Sequence, residues 1–216
     1  ACEHLKESSF LFITFGSAYV YRLKENNRIV ANCHKLPDKL FKRELLSVET
    51  IVSTWTNLIN KITKVNSNLH IIFTISPIRH LKDGAHGNQV SKATLLLAVE
   101  QLQGLFPEQT SYFPAYEIML DELRDYRFYA EDMVHPSPLA IHYIWERFAS
   151  SFMTSDTRKI MKEWDEIQKA MNHKPFQPDS EAYKKFIVQT LLKIEHITKK
   201  IPSFDTQNEL KALKSK

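Results

Sequence analysis

Three short apolar runs, residues 9–16, 69–75 and 111–116, are separated by stretches of helical periodicity, and this alternation constrains the fold more than any other feature of the sequence. An uninterrupted apolar run of this length, stopped by glycine or proline, is how a strand buried on both faces of a parallel sheet reads. The first run, Ser-Phe-Leu-Phe-Ile-Thr-Phe, ends at Gly16, and the second ends at Ser76-Pro77. Between them, Leu46, Ile51, Trp55, Leu58, Ile59 and Ile62 recur at near-helical spacing over residues 45–62, with Ser47 and Glu49 suited to open the helix. A second helix, capped by Ser91, is predicted through Leu95, Leu96, Ala98, Val99 and Leu102, after a loop over residues 80–88. Strand, helix, strand, helix, strand implies right-handed crossovers and an α/β layered fold.

One insertion departs from this plan. After the turn at Gly16, Ser17 and Ala18, the residues Tyr19 to Tyr21 and Asn27 to Ala31 suggest an extended excursion or small hairpin before residues 32–35. A sheet of only three strands also leaves its first strand open along one edge, which invites aggregation. Either a further strand fills that place or residues upstream of Ala1 supply it. The second is the expectation, with residues 2–6 as the tail of a crossover helix.

In open α/β sheets, ligand-binding groups gather outside the carboxyl ends of the strands. Gly16, Ser17, Ser76, Arg79, His80 and Glu117 fall at those ends. Arg79 and His80 are candidate substrate contacts, although an arginine there equally suits a carboxylate such as Glu117 or Asp132. Tyr112, Phe113 and Tyr116 read as core or pocket wall.

The stretch Glu131-Asp132-Met133-Val134-His135-Pro136-Ser137 places a carboxylate and an imidazole where one loop can present both. Imidazole alone has an unperturbed pKa near neutrality, and a carboxylate on one ring nitrogen fixes its tautomer and steadies the imidazolium. Such a pair is a general base with its own orienter. Taken alone, D-x-x-H more often means a turn-capping Asp and a surface His. Pro136 stops helical continuation, and Ser137 and Pro138 read as the N-cap and first residue of a helix running from Leu139 to Phe152.

With 216 residues, 43% of them hydrophobic, the chain has enough apolar content for one domain and an appendage. We expect an α/β domain over residues 1–153 and a helical extension over 154–216. The extension carries Ile160, Met161, Trp164, Ile167 and Met171, then Phe186, Ile187, Leu191, Leu192 and Ile194, with a break near Pro175 and Pro178. Ser180 is placed to cap its second helix, and residues 210–216 read as a short fraying tail. Residues 158–216 hold 13 Lys and Arg against 8 Asp and Glu. Those lysines alternate with acids and aromatics at helical spacing, which favours a solvated face over a nucleic-acid partner. Cys2 and Cys33 do not make a disulfide framework, Cys33 reads as a buried structural thiol, and no metal-ligand spacing or cofactor motif is present. The expectation is no metal, no cofactor, no membrane span and a cytoplasmic location, with the extension serving as a homo-oligomer contact or a lid.

Several segments together carry a resemblance. Residues 15–21 (Phe-Gly-Ser-Ala-Tyr-Val-Tyr), 30–35 (Val-Ala-Asn-Cys-His-Lys), 75–80 (Ile-Ser-Pro-Ile-Arg-His), 112–117 (Tyr-Phe-Pro-Ala-Tyr-Glu) and 132–137 occur in the order seen in the GSCFA family. That family is similar to the SGNH hydrolases, which are flavodoxin-like α/β esterases and acyl-transfer enzymes. The resemblance implies a three-layer, flavodoxin-like fold with a parallel sheet. It also implies that Asp132 and His135 match the Asp and His of a Ser-His-Asp triad, and that Gly16 matches a glycine whose backbone N–H helps form an oxyanion hole. The superfamily places an asparagine two residues after that glycine; here the position is Ala18, and Asn32 is the candidate to stand in for it. Ser17, His34, Arg79 and His80 become candidate substrate contacts. The nucleophilic serine belongs to a Gly-Ser-Cys-Phe-Ala segment, which these 216 residues do not contain. Ser17 lacks a G-x-S-x-G frame and ranks below that upstream serine as nucleophile. Three functions follow: an ester hydrolase or acyltransferase acting on a small-molecule or glycan ester, a carbohydrate- or ligand-binding module on the same fold, and a helical interaction protein.

Overall fold

A computed structural model describes residues 2–31, 33, 35–177 and 179–214. It divides into two compact units, Ala1–Trp145 and Glu146–Lys216.

The first unit opens with helix α1 (Cys2–Glu7) and strand β1 (Phe10–Phe15). After the Gly16 turn come β2 (Tyr19–Leu23), β3 (Ile29–Val30) and β4 (Phe41–Leu45), then helix α2 (Val48–Val65), strand β5 (His70–Ile75), helix α3 (Gly84–Leu105) and strand β6 (Thr110–Phe113). The main sheet has the order β1-β5-β6 and is parallel throughout, with Phe15 opposite Ile75 and Thr74 opposite Phe113. This is the parallel α/β arrangement expected from the apolar runs. The central strand is the most apolar: Ile71, Ile72, Phe73 and Ile75 are all buried. Ile59 of α2 and Val99 and Leu102 of α3 pack on Ile71 and Phe73, so both crossover helices contribute to one core. Ser47 caps α2 by accepting the Thr50 N–H at 3.2 Å.

The excursion after Gly16 is a second, antiparallel sheet of order β3-β2-β4. Its strand β4 has the polar sequence Phe-Lys-Arg-Glu-Leu and extends a hairpin that the sequence suggested only as far as residue 31. The additional strand therefore joins this sheet, and among the described residues none pairs with the outer edge of β1. Arg43 of β4 forms an ion pair with Asp83, whose side chain is fully buried, and stacks 4.2 Å from the Tyr19 ring centroid. That contact seats the small sheet on the start of α3.

Helix α3 begins seven residues earlier than Ser91, at Gly84, which has φ +66° and so takes a backbone conformation that glycine tolerates best. The expected loop at residues 80–88 is therefore half helix, and Ser91 lies inside the helix and does not cap it. β6 also stops at Phe113, because Pro114 precedes the short helix α4 (Ala115–Glu117).

Helix α5 (Pro138–Phe152) starts where Ser137 and Pro138 predict, with the Ala140 N–H donating to Ser137 Oγ at 3.3 Å. The second unit contains α6 (Ser155–Asn172), α7 (Glu181–Lys200) and α8 (Gln207–Lys214). Ser180 caps α7 through the Tyr183 N–H at 3.2 Å. Ile167, Ile194, Ile197 and Leu213 make its core, so the segment expected to fray is a helix anchored by a buried leucine. Among the described residues, no helix is long and apolar enough to cross a membrane.

Candidate functional site

The Asp132–His135 loop is a closed clip. Residues Tyr129 and Pro136 form an antiparallel bridge, the Ala130 N–H donates to His135 O at 2.8 Å, and the Ser137 N–H donates to Phe128 O at 2.8 Å. Met133 at the tip has φ +59°, a left-handed conformation that a side-chain-bearing residue adopts only when its surroundings impose it. Here the imposing groups are the bridge below and Asp132 beside it. One Asp132 oxygen, Oδ1, accepts the N–H groups of Val134 at 2.9 Å and His135 at 3.0 Å. The other, Oδ2, lies 2.5 Å from His135 Nδ1. One carboxylate thus caps the turn through Oδ1 and contacts the imidazole through Oδ2.

These hydrogen bonds, led by the His135 N–H and then the His135 ring, pull the Asp132 carboxyl down to about 2. An ionised Asp132 accepts from Nδ1–H, which leaves Nε2 as the ring nitrogen with an available lone pair. Both side chains are about half exposed, so the imidazole is open to a molecule arriving from solvent.

Arg79 fastens this clip to the end of β5. Its guanidinium lies 4.0 Å from the Tyr129 ring centroid and donates to Met133 O at 3.3 Å, and its backbone N–H makes a longer 3.5 Å bond to Val134 O. Neither Glu117 nor Asp132 is its partner; Glu117 instead accepts the Tyr112 hydroxyl at 2.7 and 2.9 Å. The next residue, His80, turns to the other side, its Nε2 donating to Gly16 O at 3.1 Å. Adjacent residues therefore link the Asp–His clip to the end of β1.

The Gly16 turn is tightly held. The Ser17 hydroxyl accepts the Tyr19 N–H at 3.0 Å and lies 3.1 Å from the Ser91 hydroxyl, which also accepts the Ala18 N–H at 2.8 Å. Ser17 thus serves the turn itself. The structure brings Gly16, Ser17, Arg79, His80, Asp132 and His135 to the same end of the sheet. Asn32 and His34, the expected second oxyanion donor and substrate contact, lie outside the described residues. Cys33 is a free thiol, half-buried where a buried one was expected. Among the described residues, no group of three or more His, Cys, Asp or Glu is placed to hold a metal ion.

One residue at this end of the sheet was not anticipated. Lys92, on α3 directly after Ser91, is fully buried, and its ammonium donates to Gly16 O at 2.7 Å and Ser76 O at 2.6 Å. Burial lowers its pKa to about 8. A lysine inside an otherwise ordinary helix reads as a solvated residue, so only its position one turn before the apolar Leu95 and Leu96 hinted at an inward face.

The first unit is thus a parallel α/β domain with an Asp–His loop fastened beyond the carboxyl end of its central strand. The chain belongs to the GSCFA family: the model of that family matches residues 1–148, and the model described as GSCFA domain protein, C-terminal domain, matches residues 164–216. No curated protein matches it.

Proposed function

We propose that this domain is an ester hydrolase or acyltransferase of the SGNH type, working by Ser-His-Asp acyl transfer on a small-molecule or glycan ester, with O-acylated carbohydrate as its substrate class. The observation that carries this reading is the Asp132 Oδ2 to His135 Nδ1 contact of 2.5 Å on an exposed loop, with Oδ1 bound to the backbone of the same loop. His135 Nε2 takes the proton of a serine hydroxyl as that oxygen attacks the ester carbonyl. The imidazolium that results is held by ionised Asp132, and it returns the proton to the leaving alcohol. Water or an acceptor hydroxyl then releases the acyl group by the same exchange. In this reading, amide N–H groups near Gly16 donate to the negative carbonyl oxygen, and the family resemblance offers Asn32 as the second donor.

The nucleophile is the serine of the Gly-Ser-Cys-Phe-Ala segment, a motif these 216 residues do not contain. The Ser17 hydroxyl is engaged by Tyr19 and Ser91, which argues against it as a substitute. The same observation favours a second reading, a carbohydrate- or ligand-binding module that uses this cleft without turnover. The protein at the length its gene encodes, and the 216-residue chain, are assayed on p-nitrophenyl acetate, p-nitrophenyl butyrate and acetylated xylo-oligosaccharides. Turnover that His135→Ala abolishes supports the enzyme. Turnover that survives this substitution, or none from either protein, overturns it, and binding of the oligosaccharide without turnover selects the second reading.

A further inference from the structure

The Lys92 ammonium is a buried charge with no carboxylate partner. Among the described residues it forms no ion pair, and the titratable groups that face it are His80, on the same Gly16 oxygen, and Tyr116 of α4, whose ring centroid is 5.4 Å away. A lysine in such a place ordinarily loses its proton or is replaced by an apolar residue. This one instead spans the carboxyl ends of two neighbouring strands.

The two carbonyls it holds are not equivalent. Ser76 is followed by Pro77, which has no N–H, so aiming Ser76 O aims no donor. Gly16 is followed by Ser17. In a trans peptide the C=O and the next N–H point in opposite directions, and every described peptide is trans. Holding Gly16 O toward α3 therefore turns the Ser17 N–H away from it. His80 donates to the same oxygen, so both lone pairs of Gly16 O are occupied and the peptide cannot rotate without breaking two bonds. Among the described residues, nothing accepts from the Ser17 N–H.

We propose that Lys92 is a positioning residue of this site, whose ammonium, acting with His80, locks the Gly16–Ser17 peptide so that the Ser17 N–H is a fixed donor for an anionic oxygen of the substrate. The inference rests on the acyl-transfer reading for its consequence in turnover, while the peptide lock has a readout of its own. The lowered pKa separates function from stability. Between about pH 8 and the ordinary lysine value near 10.4, the unfolded chain binds more protons at this position than the folded one, so the Lys92 contribution to stability rises with pH. Over the same interval the ammonium is lost and the peptide is held less firmly, so turnover falls. A purely structural lysine would not move the two in opposite directions.

The test combines carbon-detected NMR with steady-state kinetics on the protein at the length its gene encodes. The Gly16 carbonyl 13C and Ser17 15N shifts are followed from about pH 7 to about pH 10 in the wild type, in Lys92→Met and in Lys92→Arg. We expect both wild-type resonances to titrate near pH 8, the Met variant to lose that titration, and the Arg variant to remain unchanged across the range. With p-nitrophenyl acetate, Lys92→Met lowers kcat by about 10- to 100-fold at near-constant KM, and Lys92→Arg restores part of it. If the wild type turns over no ester, the acyl-transfer reading fails and the resonances alone decide the peptide lock. If Lys92→Met does not fold, the wild-type titration and the Arg variant decide it. Flat wild-type resonances, or full kcat in a folded Met variant of an active enzyme, overturn the proposal.

Discussion

The two halves of the candidate site are built in opposite ways. The Asp132–His135 clip stands half exposed, and its order comes from hydrogen bonds within a few residues of sequence and from the Arg79 anchor. The Gly16 turn is held from behind by buried groups distant in sequence, Ser91 and Lys92 of α3, together with the part-buried His80. Proton transfer needs an imidazole that solvent and substrate can reach, whereas a hydrogen-bond donor for a developing charge works best when it cannot move. Under the proposed function, the exposed clip would do the first and the buried turn the second.

If the division is right, substitutions in the clip strike proton transfer and leave the fold intact. His135→Ala should reduce kcat with an ester substrate by about 10³- to 10⁴-fold without shifting the unfolding midpoint, because the side chain supports no core. Asp132→Asn comes next, at about 10²- to 10⁴-fold, since an amide neither fixes the Nδ1–H tautomer nor stabilises imidazolium. A variant at Asp132 that retains full kcat would mean that the carboxylate only caps the turn. Arg79→Met removes both the guanidinium over the Tyr129 ring and the bond to Met133 O; kcat should fall about tenfold with no loss of global stability, as the clip loses its tie to β5. An Arg79→Met protein with unchanged kinetics would break the link between clip and sheet.

The smallest effect is in the acid response of the clip. The folded pKa of Asp132 is depressed to about 2 from an ordinary value near 4, so its stabilising contribution is complete above about pH 4 and disappears as pH falls through about 2. Protection of the Val134 and His135 amides relative to their intrinsic exchange rates should fall only in that interval, and Asp132→Asn should show low protection at every pH. Loss of protection setting in at about pH 5 would show that other groups hold the loop.

The same contrast governs what could be read from the sequence. The clip is local: Asp132, His135, Pro136, Ser137 and Pro138 lie within seven residues, and each has a known preference for a turn, cap or helix start. The three parallel strands were legible because burial on both faces leaves an unbroken apolar run. Strand β4 was not, since Phe-Lys-Arg-Glu-Leu belongs to a small sheet whose central strand β2 is only partly buried, and its partner Asp83 lies 40 residues away from Arg43. The early start of α3 was hidden by Gly84 and Gly87, which read as loop residues. Lys92 was invisible for a similar reason, because the carbonyls that satisfy it sit 76 and 16 residues away. A fold whose buried polar groups are satisfied across long sequence separations conceals them until the chain is assembled.

The central claim is that Asp132 holds His135 with its proton on Nδ1 and its Nε2 free to accept one. Long-range 1H–15N correlation spectra of the His135 ring, recorded where the imidazole is neutral, measure this directly. The Nδ1–H tautomer is expected in the wild type, with loss of that preference in Asp132→Asn. A wild-type ring protonated on Nε2, or a tautomer indifferent to Asp132, would contradict it.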